Sequence, residues 1–153
     1  MKRTALLSAI VAALLFLTAC GTSASPAQSV ANTGSGGQSA AGATEVDVTM
    51  GDYTIQSSLT TFKVGVPYKF VIINNGNHQH NFNISTPVDK TGSVDASLSS
   101  ALLSVSQDKL PIDGGTTVVY TFPASAAGQD LEFACLIRLH YEKGMKLAIT
   151  VTS

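Results

Sequence analysis

The sequence predicts an all-β domain, a Greek-key β-sandwich, placed behind an export segment and a spacer. Three observations predict it. From residue 44 onward apolar and polar residues alternate with a period of two. The alternating runs are short and separated by clusters of Gly, Pro and Asn. The chain is rich in Val, Thr, Ser and Gly, a mixture better suited to pleated sheet than to a helix bundle. Its 153 residues allow one domain of ordinary size. Only 12% are charged, with 9 Lys and Arg against 10 Asp and Glu, so the dense positive surface that nucleic acid requires is missing.

The N-terminus opens Met-Lys-Arg and continues into an apolar run over residues 5–17, broken only by Ser8. A membrane span needs about 20 apolar residues, so this shorter run with a basic start reads as a signal peptide, residues 1–19. Leu17-Thr18-Ala19-Cys20 resembles a bacterial lipobox, and the resemblance implies that Cys20 is acylated and begins the mature protein. The domain is then expected outside the cytoplasm, lipid-anchored to the membrane in the periplasm or at the outer cell surface. Residues 20–43 are dominated by Gly, Ser and Ala and carry no charge, as expected of a flexible tether. Such a tether reaches roughly 25 Å.

Residues 44–153 make the folded domain. Val46, Val48 and Met50 alternate first, then Tyr68, Phe70 and Ile72 after Val66-Pro67. Phe82 and Ile84 follow an Asn- and Gly-rich loop; Val118, Tyr120 and Phe122 follow Asp113-Gly114-Gly115. Leu131, Phe133 and Cys135 come after Gly128, and Met145, Leu147, Ile149 and Val151 close the chain. Residues 93–106 break the pattern: Val94, Leu98, Leu102 and Val105 stand at helical spacing, which predicts a short helix or irregular insertion.

With Cys20 committed to lipid, Cys135 is left as a lone thiol in an oxidising compartment. It is followed by His140 and Met145 in a CxxxxHxxxxM pattern, and upstream lies Asn77-His78-Gln79-His80-Asn81-Phe82. One thiolate, two imidazoles and a thioether are the donor set of a blue-copper centre. Strand alternation tests this independently. Cys135 has the parity of Leu131 and Phe133, Met145 that of Leu147, Ile149 and Val151, and His80 that of Phe82 and Ile84, so all three are expected to point inward at strand ends. The loop 136–144 can bring His140 over the same place. His78 shares the parity of His80; His80 is preferred because it adjoins the apolar strand, while His78 lies deeper in the turn.

On these residues the domain resembles the cupredoxins, the plastocyanin and azurin group. Gly65-Val66-Pro67 before a strand that ends in Asn75-Gly76, followed by His80-Asn81-Phe82, is similar to that family's N-terminal half. Gly114-Gly115-Thr116-Thr117, Phe133-Ala134-Cys135, His140-Tyr141 and Gly144-Met145-Lys146 are similar to its C-terminal half. Within the group the Cys-His-Met spacing and the Gln79-His80-Asn81 and His140-Tyr141 pairs are most similar to the auracyanins. The resemblance implies one type 1 copper held strongly by His80, Cys135 and His140 and weakly by axial Met145. It implies that Asn81 ties the two ligand loops together. It also implies that the edge of His140 is the electron port, within an apolar patch that Leu136, Leu139 and Tyr141 could supply. The departure is at Ile137-Arg138-Leu139, where relatives usually have Pro-Gly before the histidine. An inward Arg138 would favour Cu(I); an outward one would be a docking charge.

The expected function is a membrane-anchored electron carrier that exchanges electrons with redox proteins. It has no nucleic-acid or small-molecule partner and no enzymatic machinery: no carboxylate pair, no nucleophile with a base and no phosphate cradle is visible. Copper delivery or buffering is the alternative, and a sandwich that has lost its metal is a second. A two-copper site needs two cysteines in the loop, and methionine disfavours zinc.

Overall fold

The computed structural model describes residues 41–153; the signal segment, Cys20 and the tether as far as residue 40 lie outside the described residues. Nine strands and two short helices follow in the order β1 (Thr44–Gly51), β2 (Thr54–Ser57), β3 (Thr61–Lys63), β4 (Pro67–Asn74), β5 (Phe82–Ser85), α1 (Val88–Thr91), α2 (Val94–Ser99), β6 (Leu103–Val105), β7 (Gly115–Thr121), β8 (Leu131–Ala134) and β9 (Lys146–Thr152). They form a sandwich of two sheets, ordered β2-β1-β4-β7 and β3-β9-β8-β5-β6. Two of the pairings, β1 with β4 and β3 with β9, are parallel, and the rest are antiparallel.

The period-two residues fill the space between the sheets. Val46, Val48 and Met50 of β1, Tyr68, Phe70 and Ile72 of β4, and Ile149 and Val151 of β9 are buried. An aromatic stack joins the layers: Phe133 of β8 packs 5.0 Å from Phe82, 5.7 Å from Phe70 and 5.7 Å from Phe62, centroid to centroid. Each of these phenylalanines is wholly buried, and burial on that scale stabilises by about 1.5–3 kcal/mol per side chain.

β5 and β8 are buried on both faces, which simple alternation does not predict. The insertion is the reason. The short helix expected within 93–106 is α2, followed there by β6; α1 precedes that span, and the two helices lie on the outer side of these strands. Gly92, at φ 89°, ends α1, and the Ser93 hydroxyl caps α2 by accepting the Ala96 N–H at 3.1 Å. The helical spacing fails beyond Ser99 because Val105 gains burial by pairing with Phe82 across β5 and β6. Val88 and Val94 close over Ala134, Leu136 and Tyr141 in a second small apolar cluster. The Tyr141 hydroxyl accepts the Val88 N–H at 3.1 Å, fixing that layer.

Candidate metal centre

Four sequence-predicted donors come from one end of the sandwich. Cys135 directly follows β8 and Met145 directly precedes β9, so adjacent antiparallel strands deliver both, and the Cys135 N–H donates to the Met145 carbonyl at 3.0 Å. Between them the loop turns on its own backbone: the His140 N–H donates to the Ile137 carbonyl at 2.9 Å, and the Met145 N–H to the His140 carbonyl at 3.1 Å. His80 immediately precedes the β5 region, and its N–H donates to the Leu110 carbonyl. Cys135, His80 and Met145 are wholly buried, and His140 is half-buried.

Three ligand atoms face one another. His80 Nδ1 lies 3.2 Å from His140 Nδ1 and 3.8 Å from Cys135 Sγ, and His140 Nδ1 lies 3.5 Å from the same sulfur. A point equidistant from all three is about 2 Å from each, the length of a first-row metal bond to imidazole. Among the described residues this trio is the group of His, Cys and acidic side chains that could hold a metal ion. Burial, then the facing His140 ring, lowers the His80 pKa to about 4; burial, then His78 and Lys143, lowers His140 as well. Both imidazoles are therefore neutral near pH 7, with lone pairs available to a metal. Burial pushes the Cys135 thiol up, while N–H groups of Ile137 and Asn81 bonded to its sulfur oppose that and favour the thiolate. A thiolate, two imidazoles and a thioether suit copper.

Asn81 joins the two ligand-bearing stretches. Its Oδ1 accepts the Leu136 N–H at 2.7 Å and the Asn83 side-chain N–H at 3.0 Å. His78 stands apart from the trio: its Nδ1 is 2.9 Å from Asp52 Oδ1 and its side chain is half exposed. Arg138 is exposed and lies outward, beside Asp95 of α2 and Glu142. Leu139 occupies the place before the histidine with φ 70°, a left-handed backbone more natural to glycine.

The apolar patch expected round His140 needs correction. Leu136 and Tyr141 are buried in the outer cluster beneath α1 and α2, so of the three residues only Leu139, 58% exposed, faces solvent. The His140 ring instead meets Tyr53 edge-on, at 5.4 Å between centroids, and His78 at 5.9 Å. Lys143 reaches over Tyr53, with its Nζ 4.1 Å from the ring centroid and 2.9 Å from the hydroxyl. Sequence reasoning missed Tyr53, Asp52 and Asn74. The only signal was the short Gly51-Asp52-Tyr53-Thr54 link between two alternating runs, which marks a hairpin tip without saying where it points.

No family model and no curated protein matches the sequence. Solved structures do. An auracyanin from the photosynthetic bacterium Roseiflexus castenholzii is 19% identical, over 73% of this chain and 99% of its own, with a TM-score of 0.56. Auracyanin A, a "blue" copper protein from the green thermophilic photosynthetic bacterium Chloroflexus aurantiacus, is 18% identical, over 71% and 99%, at 0.53. Rusticyanin from Thiobacillus ferrooxidans is 19% identical, over 71% and 77%, at 0.54. The chain thus has the cupredoxin fold, and His80, Cys135, His140 and Met145 sit at the end of its sandwich in a cluster that fits a type 1 copper site.

Proposed function

We propose that the protein is an extracytoplasmic electron carrier with a single type 1 copper, which His80, Cys135, His140 and Met145 would hold. The observation that carries this reading is the convergence of two Nδ1 atoms and one thiol sulfur within 3.8 Å, walled in by buried residues. Copper bound there supplies a one-electron Cu(II)/Cu(I) couple. The chain's part is to keep the donors still. The bond from Cys135 N–H to the Met145 carbonyl, the Asn81 bridge to Leu136 and the turn bonds of the loop fix three of the four ligands from their backbones. Donors that cannot move are acceptable to both oxidation states, which keeps the structural change on electron transfer small.

Acylation at Cys20 and the tether would hold this carrier near a membrane, where redox proteins are its donors and acceptors. Copper delivery is the second reading, but it calls for ligands that a receiving protein can reach. Burial of His80, Cys135 and Met145 favours retention.

The test is to add Cu(II) to the full chain and record visible and paramagnetic resonance spectra. An intense thiolate-to-copper band that Cys135→Ser abolishes is the expected result; a colourless protein with tetragonal copper would refute the reading. Reversible redox cycling without loss of metal separates carriage from delivery. Cys20→Ala is expected to move the protein from the membrane fraction to the soluble one.

A further inference from the structure

The tip of the β1–β2 hairpin reaches the candidate centre from the opposite sheet. Asp52 turns its carboxylate onto the loop that carries His80: Oδ1 accepts the Asn77 N–H at 2.8 Å and lies 2.9 Å from His78 Nδ1, while Oδ2 accepts the Asn77 side-chain N–H at 2.9 Å. Three partners hold the carboxylate in one place and favour its ionised form. Gly76 admits it. A methyl group there would stand 2.7 Å from Asp52 Oδ1, 3.0 Å from the Asp52 nitrogen and 2.9 Å from His80 Nε2. The carboxylate and the outer edge of the His80 ring therefore share one small space that only glycine leaves open. In that space His80 Nε2 is buried without a hydrogen-bond partner. A histidine that gives Nδ1 to a metal carries its proton on Nε2, and such N–H groups are commonly oriented by a carboxylate or carbonyl.

Resting on the copper reading, we infer that Asp52 is a positioning residue that fixes the His80 loop and, through its immobile negative charge, holds the reduction potential of the centre down. The oxidised centre carries one more positive charge than the reduced one, so a nearby anion stabilises it more. His80 and Gly76 are buried, but the Asp52 side chain is 31% exposed, so water screens part of the interaction and the shift is modest. No proton need move, and no bond is made or broken.

The experiment compares copper-loaded full chains of the wild type, Asp52→Asn and Asp52→Ser by redox titration, alongside amide hydrogen exchange of their metal-free forms. Asp52→Asn keeps the size and an acceptor oxygen but loses the charge. With the charge-transfer band intact, the ratio of reduced to oxidised protein at a fixed applied potential is expected to rise about fivefold. Asp52→Ser, which also loses the long acceptor arm, should show the same rise, together with roughly tenfold faster exchange of the Asn77 amide. If Asp52→Asn fails to fold, Asp52→Ser carries the potential measurement alone. Unchanged potentials beside an intact band overturn the inference and leave the copper reading standing. A potential that moves only as the band disappears also overturns it, because ligand loss is then the cause. A wild type with no band overturns both.

Discussion

The two stretches that bring imidazoles to the site are held by different means. The stretch before His80 is gripped from outside. The wholly buried Asn74 accepts the Gly76 N–H at 2.9 Å, and its Nδ2 lies 2.8, 3.1 and 3.0 Å from the carbonyls of His78, Leu110 and Pro111. Asp52 grips the same stretch from the hairpin. The stretch around His140 is held mostly by its own turns, with N–H groups of His140, Lys143 and Gly144 donating to carbonyls three or four residues back, while Asn81, Val88 and Tyr53 bond it only at Leu136, Tyr141 and Lys143. Long-range side chains fix a buried ligand; short-range turns present a half-exposed one. The difference suits a centre that must be rigid inside and accessible on one side.

The sharpest way to break this contrast is Asn74→Ala. It strands several buried backbone groups at once, and we expect a loss of about 3 kcal/mol in denaturant unfolding of the metal-free chain. No single side-chain truncation within 136–144, His140 aside, should unsettle its own backbone as much.

A pH series sharpens the contrast next. His80 is depressed from 6.5 to about 4, chiefly by burial. A histidine with a depressed folded pKa lends stability that is present above its unfolded value and is lost as pH falls toward the folded one. The metal-free chain should therefore weaken between pH 6.5 and 4, by about 2 kcal/mol after allowing for solvent near the site. Thermal melts across that window should flatten in His80→Gln and less so in His140→Gln, whose ring is nearer solvent.

The smallest effect concerns Leu139. Relief of its left-handed backbone is worth about 1–2 kcal/mol, and glycine's greater freedom when unfolded returns about 0.5–1. Leu139→Gly should thus stabilise by about 0.5 kcal/mol in the same unfolding assay. A destabilised variant would show that the exposed leucine makes contacts that matter to the fold.

The same contrast explains what the sequence made legible. The self-held stretch is written locally: Cys135, His140 and Met145 stand at fixed spacing, and alternation along β8 and β9 points two of them inward. The sandwich was legible for the same reason, since period-two burial is a local pattern. His80 could be separated from His78 only by its neighbour strand, and the side chains that secure it, Asn74 and Asp52, are distant in the chain or hidden in an ordinary turn. Leu136 and Tyr141 were misplaced because the helices that cover them come from the insertion, whose first turn at Val88 lies ahead of the helical spacing. Burial on both faces of β5 and β8 depends on the same covering layer.

The bond from the Cys135 amide to the Met145 carbonyl closes the loop at its base, like the last rung of a ladder. Within the segment that rung closes off, only the exposed positions Arg138, Leu139 and Glu142 can change their surface chemistry without disturbing a buried neighbour or the sandwich.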